Sequence, residues 1–451
     1  MHMIERMAYW IVVIQMPIYI AQKDIPGGLH WEHSTKGVIY FWWALTQNLI
    51  PIFAGGFADK YGRKNVLLLS FILSILGFIL LGTQREFIPF LSGALVLGLG
   101  LGLFKPALQG AIAAGLNDRI SNAGWSINIM LINLSVFFGS YISKMLRGIS
   151  WEAVFFGSAA IFALNFIFIF FVEGNRSSGV VTRENHGIPL FKKMFANLLK
   201  PNVALFIMLM SGFTMIYMQF YETLPNFIFD WVDTGMIVDA FNVPAAFTVE
   251  TVRGTMLSYE TLFSINSFLI IFFIVPVSWI FADKKITMTI LFGIILSTAG
   301  LMFAGVSTIG YFTIAGIMIY TFGEMITNPR FTEYMSRIAP VEDKSLYMGY
   351  MSISWAIGLA GGGLLGGELY KNLGEKSGFA MKYLSEKFPD IAGITHNNAV
   401  QKLQEATGLS SAEATSLLWN VYDPWHLWLP FVGIAIVSII GLYFYSKRHD
   451  N

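Results

Sequence analysis

The chain has 451 residues, of which 55% are hydrophobic and only 13% are charged, and its formal net charge is +1. An ordinary soluble domain carries about 25% charged residues, so this composition excludes a soluble globular protein and indicates a helical membrane protein with many spans. The small net charge gives no reason to expect nucleic acid as a partner, and the absence of cysteine excludes disulfides and cysteine metal sites.

Apolar runs of the length that crosses a bilayer, about 20 residues, predict twelve transmembrane helices. They lie near 5–22, 36–58, 65–83, 88–115, 122–146, 151–173, 202–232, 256–282, 286–306, 309–338, 345–370 and 425–446. The first run begins almost at Met1 and holds charged residues near its start, so we expect a retained helix rather than a cleaved signal. If some short runs are re-entrant, the count falls to ten or eleven.

A polar, basic stretch divides the predicted helices into six and six. We therefore expect an N-terminal six-helix bundle at 1–173, a cytoplasmic linker at 174–201 and a C-terminal six-helix bundle at 202–451. The excess of Lys and Arg in the loops of one side predicts that both termini are cytoplasmic, in a protein integral to the cell (inner) membrane. Lys36 counts among the few cations of the short outer loops.

The long extracytoplasmic loop at 371–424 contains two short helical patterns, "NNAVQKLQEATG" and "SSAEATSLLW". The second pattern opens with Ser410 and Glu413 at the spacing of a capping box, in which each residue satisfies a free backbone N–H at the helix start. The sequence assigns no function to this loop.

The letters FADK occur twice, at Phe57–Lys60 and at Phe281–Lys284. Each copy follows the second helix of its six-helix half. Two halves related by an axis along the membrane normal are a transporter architecture. The predicted fold is thus an all-α polytopic membrane protein, with its 12 transmembrane helices in two pseudo-symmetric six-helix bundles.

The first FADK copy belongs to a longer loop motif, from Gly55 to Lys64, that resembles the loop signature of the major facilitator superfamily. The resemblance implies the major facilitator fold. We expect a conformational latch in which Asp59 accepts hydrogen bonds from helix N-termini and from Arg63, while Gly55 lets neighbouring helices approach closely. The alternative is a loop whose charges only set the topology. The second copy lacks the Gly-Arg tail.

Ionisable residues inside membrane spans are costly, and their default interpretation is functional. Glu5 and Arg6 open the first helix, and we expect each to find its partner elsewhere because adjacent residues do not share a helical face. Tyr9 lies one turn further on and can line the same cavity. Alternatively, this segment is the cytoplasmic end of the helix, with its charges reaching water. Glu222, in the seventh helix, is either a proton site or lies near the outer surface.

Lys105 and Glu324 occupy the fourth and the tenth helix, which are equivalent in the two halves, and each lies close before a proline. We expect them to pair across the central axis when the cavity is closed on one side, and protonation of Glu324 would weaken that pair. The alternatives are a lysine bonded to backbone and a merely structural ion pair. Arg330 and Glu333, further along the tenth helix, are expected to form a gate or surface pair.

Five short motifs resemble the proton-dependent oligopeptide transporter family: "HMIERMAYW", "GLGLFKP", "NIMLINLSV", "SINSFL" and "GEMITNP". The resemblance implies proton-coupled import of small peptides, with no cofactor beyond the proton gradient. It implies that Arg6 and Lys105 face the peptide carboxylate, that Asn133, Asn266 and Glu324 face the amino end, and that Glu5 belongs to the proton-coupling machinery. The chain departs from the family pattern at His2, Trp10, Val13 and Ser135.

The leading functional prediction is a proton-coupled symporter for di- or tripeptides or similar small zwitterions, working as a monomer in the lipid bilayer. Glu5, Glu222 and Glu324 are the candidate proton-coupling residues, and Arg6, Tyr9, Lys105, Asn133, Asn266 and Glu324 are the candidate substrate-binding residues. The alternatives are a proton-coupled drug or metabolite antiporter of the same fold and a transporter-like receptor or sensor. An enzyme is not expected, and no metal site is predicted.

Overall fold

The computed structural model describes residues 1–23, 25–115, 121–171, 198–251, 253–340 and 344–449. We label its long helices α1 (His2–Ala21), α2 (His33–Tyr61), α3 (Arg63–Thr83), α4 (Phe87–Gly115), α5 (Ser121–Arg147), α6 (Trp151–Ala163), α7 (Pro201–Trp231), α8 (Tyr259–Phe281), α9 (Ile286–Gly305), α10 (Gly310–Ile338), α11 (Lys344–Leu373) and α12 (Leu429–His449). Short helical turns at Asn165–Phe168 and Ile169–Phe171 extend α6. Each predicted apolar run corresponds to one of these helices.

Eight helices in the described ranges are long and apolar enough to cross a membrane, judged by length and composition: α1, α3, α4, α6, α7, α8, α9 and α12. The other four, α2, α5, α10 and α11, have 29, 27, 29 and 30 residues but carry more polar side chains. The helical membrane fold is confirmed, while the count of twelve spans stays a prediction.

Within each half, neighbouring helices pack through small residues, as is usual where no water drives association. The pair α9 and α10 shows how close this approach is: a Cβ built on Gly323 would lie 2.4 Å from the backbone nitrogen of Ser297. Between the halves, α2 packs against α11, α5 packs against α8, and α1 packs against α7.

The chain turns from α2 to α3 at a single residue, Gly62, whose φ is 87°. A positive φ is a conformation that residues with a Cβ adopt only with strain. No atom of the described residues lies within 4 Å of a Cβ built at this position, so the backbone conformation is the reason that favours glycine here. This explains one glycine of the Gly55–Lys64 motif.

Outside the long helices, an antiparallel hairpin joins Thr248–Thr251 to Gly254–Leu257, with Val249 opposite Met256. The predicted eighth helix therefore starts too early, at 256, because its first residues belong to this hairpin. A short helix at Gly235–Phe241 precedes the hairpin.

The 371–424 loop folds into three short helices, Lys376–Lys387, Ala399–Thr407 and Ser411–Tyr422. The two predicted helices are confirmed, and the capping box of Ser410 and Glu413 is complete. The first of the three helices was not predicted. The loop is anchored on the end of α7, where the Trp231 indole N–H donates to the Gly374 carbonyl at 2.8 Å and Trp419 packs against Trp231.

Candidate transport site

The two halves are joined at the end of the molecule where α1 and α7 finish and α2 begins, which we call the sealed end. Its central contact is Lys36, whose side chain is fully buried. The Lys36 ammonium donates to the Glu222 carbonyl and to Asn226 Oδ1, both at 2.9 Å. Because Lys36 lies on α2 and its acceptors lie on α7, these bonds hold the N-terminal half against the C-terminal half.

Two glycine-lined surfaces let α2 and α11 touch beside Lys36. A Cβ built on Gly37 would lie 2.5 Å from the carbonyl oxygen of Gly363, and one on Gly367 would lie 2.3 Å from the carbonyl oxygen of His33. The backbones are therefore in direct contact, and no side chain could be inserted without moving the helices apart.

Polar bonds extend the sealed end on both sides of Lys36. The Gln22 amide donates to Asp230 Oδ1 at 2.7 Å, and the Tyr370 hydroxyl donates to Asp230 Oδ2 at 2.7 Å. Further along the interface, the Gln15 amide donates to Glu260 Oε1 at 2.6 Å. The sealed end is thus closed by buried polar bonds between the halves as well as by apolar packing.

The Glu222 side chain is itself fully buried beside this network, and its role as a proton site stays a prediction. Among the described residues, neither of its carboxyl oxygens has a hydrogen-bond partner. The Lys36 ammonium is bonded to the Glu222 backbone rather than to its carboxylate. A carboxyl group in such a position carries a large desolvation penalty when ionised.

Sequence reasoning missed the burial of Lys36 between the two halves. Lys36 stands at the start of an apolar run, where a lysine normally reaches back to water, and the sequence pattern contains no signal for its two acceptors on α7. Its burial results from the approach of α11, which no local pattern predicts.

The N-terminal half contributes a cluster of Glu5, Arg6, Tyr9 and Lys105. The Arg6 guanidinium donates to both Glu5 oxygens, through Nε at 2.6 Å and through a terminal nitrogen, and it lies 4.5 Å from the centre of the Tyr9 ring. The expectation that Glu5 and Arg6 find separate partners is wrong, because the long arginine side chain folds back onto the carboxylate of its neighbour. Glu5 is fully buried.

Lys105 is solvent-exposed within α4, next to Pro106. It lies within electrostatic reach of Arg6 and Glu5. Because the Glu5 carboxylate already neutralises Arg6, Lys105 supplies the net positive charge of this cluster. His2, which stands where the related family has an acid, is hydrogen-bonded to Asn128 Oδ1 at 2.8 Å.

The C-terminal half contributes Glu324, which is buried with 6% of its surface exposed. The Asn266 amide donates to Glu324 Oε2 at 2.9 Å and to the Thr321 hydroxyl at 3.0 Å. The Asn328 amide nitrogen lies 3.5 Å from Glu324 Oε1. The predicted association of Asn266 with Glu324 is thus seen, and the carboxylate is held by neutral donors of its own half.

Lys105 and Glu324 form no salt bridge with each other in this structure, although one end of the molecule is sealed. Glu324 is bonded within its own half, and Lys105 faces solvent. Between the halves, the Trp10 ring contacts the rings of Tyr221 and Phe263, with centroids 5.2 and 5.8 Å apart. The arrangement leaves a cation and an acid on opposite halves, unpaired with each other.

Asn133 lies partly exposed on α5, the helix that packs against α8 of the other half, and its contact with substrate stays a prediction. The surroundings of Gly55, the Asp59 side chain and the linker at 174–197 lie outside the described residues, so the latch stays a prediction as well. Arg63 is partly exposed at the first position of α3.

The second FADK copy is held by a residue of α10. The Arg330 guanidinium donates to the Phe281 carbonyl and forms an ion pair with Glu333 at 2.5 Å. The predicted pairing of Arg330 with Glu333 is confirmed. An arginine of α10 therefore holds the loop that lacks its own Gly-Arg tail.

At the surface of the sealed end, Lys371 forms an ion pair with Glu32 at 2.7 Å, which lowers the pKa of the Glu32 carboxyl and raises that of Lys371. Within the described ranges, no group of three or more His, Asp or Glu side chains is placed to hold a metal ion.

Two helical bundles that enclose such a site and meet at one end define a membrane transporter. Residues 1–363 match the model of the Major Facilitator Superfamily, and the chain belongs to that superfamily. Among curated relatives, it is 24% identical over 159 residues to the quinolone resistance protein NorA of Staphylococcus aureus, a match that spans 35% of this chain and 39% of NorA. It is 21% identical over 345 residues to the multidrug resistance protein MdtH of Yersinia enterocolitica, covering 76% of this chain and 79% of MdtH.

Solved structures show the same fold. A POT family transporter in complex with 5-aminolevulinic acid superposes with a TM-score of 0.64 at 17% identity, covering 94% of this chain and 95% of the other. A point mutant of the nucleoside transporter NupG superposes with a TM-score of 0.65 at 13% identity, covering 98% of each chain. Since both fit equally well, the fold alone does not distinguish their substrates.

Proposed function

We propose that the protein is a proton-coupled symporter that imports di- or tripeptides or similar small zwitterions by alternating access. The observation that carries the proposal is the placement of Lys105 and Glu324 on opposite halves without a bond between them. A zwitterion has a carboxylate for the first and an ammonium for the second, so one molecule can engage both halves at once. The motifs shared with peptide transporters agree with this substrate class.

In this proposal, the substrate carboxylate approaches Lys105 from the Tyr9 side, while Arg6 remains paired with Glu5. The substrate ammonium approaches Glu324 and the Asn266 amide oxygen. Asn133 is a further candidate contact on α5. A proton that enters with the substrate on another carboxyl group, Glu5 or Glu222, would pass to Glu324 once the site faces the inside. There it would remove the attraction of Glu324 for the ammonium and favour release.

Glu222 has a separate role at the sealed end. Because its carboxyl oxygens are buried without donors, we assign it the neutral, protonated form while the end is sealed. When α2 and α11 separate, water reaches the carboxyl group, which can then lose or gain its proton. The free energy of closure would thereby depend on proton concentration, as coupling requires. Glu5, already bonded to Arg6, is the third candidate of the proton pathway.

The test uses purified protein in liposomes with an imposed pH gradient and radiolabelled dialanine. Wild type should accumulate the peptide. Glu324→Gln should lose accumulation and bind the peptide more weakly, but it should still exchange labelled for unlabelled peptide when the peptide concentration is raised. Glu368→Gln, an exposed carboxylate on α11, is the matched control and should behave as wild type. Gradient-driven accumulation at the wild-type level in Glu324→Gln would contradict the coupling role.

A second candidate, proton-coupled drug or metabolite antiport, is favoured by the likeness to NorA and MdtH. The aromatic contacts of Trp10, Tyr221 and Phe263 would suit a flat apolar compound. Mixed dipeptides and a fluoroquinolone, each used to compete for binding, would separate the two functions. Competition by the quinolone alone would favour the antiporter.

A further inference from the structure

A groove runs between α7 and α12 at the end of the molecule opposite the sealed end, where α7 begins and α12 finishes. Its volume is about 490 Å³, within the range of about 300–1,000 Å³ that small-molecule sites occupy. Beside the first residue of α7, it is lined by Asn202, Leu205, Gly441, Phe444, Tyr445 and Arg448. None of these lining residues belongs to the candidate transport site.

The floor of the groove is rigid. Tyr445 is 3% exposed, its hydroxyl accepts from the Tyr334 hydroxyl at 2.9 Å, and its ring packs against Phe206. Gly441 leaves the floor open because it has no side chain, and a Cβ there would already collide with Leu209. The groove is therefore formed before any ligand arrives, which lowers the entropy lost on binding.

The two ends of the groove differ in chemistry. Leu205 and Phe444 are 46% and 64% exposed, and they lie on the membrane side, within helices that each meet the length and apolarity of a span. Arg448 lies at the other end of the groove, beside the terminus of α12. Lys200, just before α7, and Lys447 lie at the same end of the molecule, and all three cations are exposed. The lining set contains no acidic side chain.

We propose that this groove binds a membrane phospholipid with an anionic headgroup, whose phosphate lies against Arg448 and whose acyl chain lies between Leu205 and Phe444. The apolar walls match a hydrocarbon chain, and the cations match a phosphate at the level where a lipid headgroup sits. Basic pockets between transmembrane helices are a known way to hold such headgroups. The bound lipid would tie the start of α7 to the end of α12.

The test measures thermal unfolding of the purified full chain in detergent with added phosphatidylglycerol, with phosphatidylcholine of the same acyl chains, or with inorganic phosphate. Phosphatidylglycerol should raise the unfolding temperature most, and native mass spectrometry should show it retained. Arg448→Gln should weaken its binding by about fivefold, the effect of one cation near the surface. Leu205→Trp should abolish the phosphatidylglycerol-bound protein seen by mass spectrometry, because the indole fills the groove without entering the core.

Lys285→Gln is the matched control, since it removes an exposed cation at the same end of the molecule, before α9, and it should bind as wild type. Equal stabilisation by the two lipids would overturn the proposal, as would full stabilisation by inorganic phosphate alone. Unchanged phosphatidylglycerol binding in Leu205→Trp would place the lipid elsewhere and overturn it as well. If Arg448→Gln fails to fold, the Leu205→Trp variant and the lipid comparison on wild type still decide the question.

Discussion

Substituting alanine for Gly37 is the most direct perturbation of the sealed end. The added methyl group would stand 2.5 Å from the Gly363 carbonyl oxygen and 3.3 Å from Leu364 Cα. Both are backbone atoms of α11, so no side-chain rotation can relieve the contact. The helices α2 and α11 must move apart, while a state in which this end is open accommodates the methyl freely.

The size of the effect follows from the cost of overpacking, about 1–3 kcal/mol for an extra methyl group in a well-packed interface. The intrinsic preference of helices for alanine over glycine is the same in both states and cancels. The ratio of sealed to open molecules should therefore fall by about 5- to 150-fold. Such a change converts a mostly sealed population into a mixed one.

The assay is a distance measurement between spin labels at Ser34→Cys and Asn372→Cys, which lie at the two sides of the sealed end. The chain has no native cysteine, so these two labels are the only ones. Gly37→Ala should move population from the short to the long distance. Gly433→Ala is the control, because nothing lies within 4 Å of a Cβ at that position.

An unchanged distance distribution in Gly37→Ala, with correct folding shown by its unfolding temperature, would refute the reasoning. It would mean that the contact between α2 and α11 does not separate during the cycle. A matching shift in Gly433→Ala would show that the effect is not specific to the sealed end.

Three further perturbations test other parts of the account. Lys36→Met leaves two buried acceptors on α7 without this donor, which destabilises the sealed state by about 1–3 kcal/mol. The distance between the same two spin labels should therefore shift towards the long value. An unchanged distance distribution would show that Lys36 does not stabilise the sealed end. Lys105→Ala should weaken binding of dipeptides with a free carboxylate about tenfold or more and leave dipeptide amides unaffected; equal losses in a competition assay would indicate a structural lysine. The Ser410 hydroxyl and backbone N–H lower the pKa of Glu413. The ionised carboxylate therefore stabilises the helix Ser411–Tyr422 fully at pH values above its usual pKa of 4.5. This stabilisation is lost as the pH falls through the lower pKa of the folded state. Hydrogen exchange of that helix should accelerate in acid in wild type but show no such step in Glu413→Gln, and identical pH profiles would contradict the role of the cap.

The sequence by itself determined the class of protein, the apolar segments and the residues worth testing. Low charge and repeated apolar runs predict helices of membrane length because backbone groups in lipid must bond internally. The capping box at Ser410 and Glu413 was equally readable, since both partners lie within one helical turn. The likeness of "SINSFL" and "GEMITNP" to family motifs located Asn266 and Glu324, which the structure brings within hydrogen-bond distance.

Only the tertiary structure decided which of these residues meet. Glu5 pairs with Arg6, whereas Lys105 and Glu324 stay apart. Arg330 donates to the Phe281 carbonyl, and Lys36 is buried against α7. The physical reason is that helical periodicity states which residues share a face of one helix, but partners on other helices depend on how closely and at what level the helices pack. In this chain glycines on α2 and α11 set that closeness, and no pattern within either helix names the other.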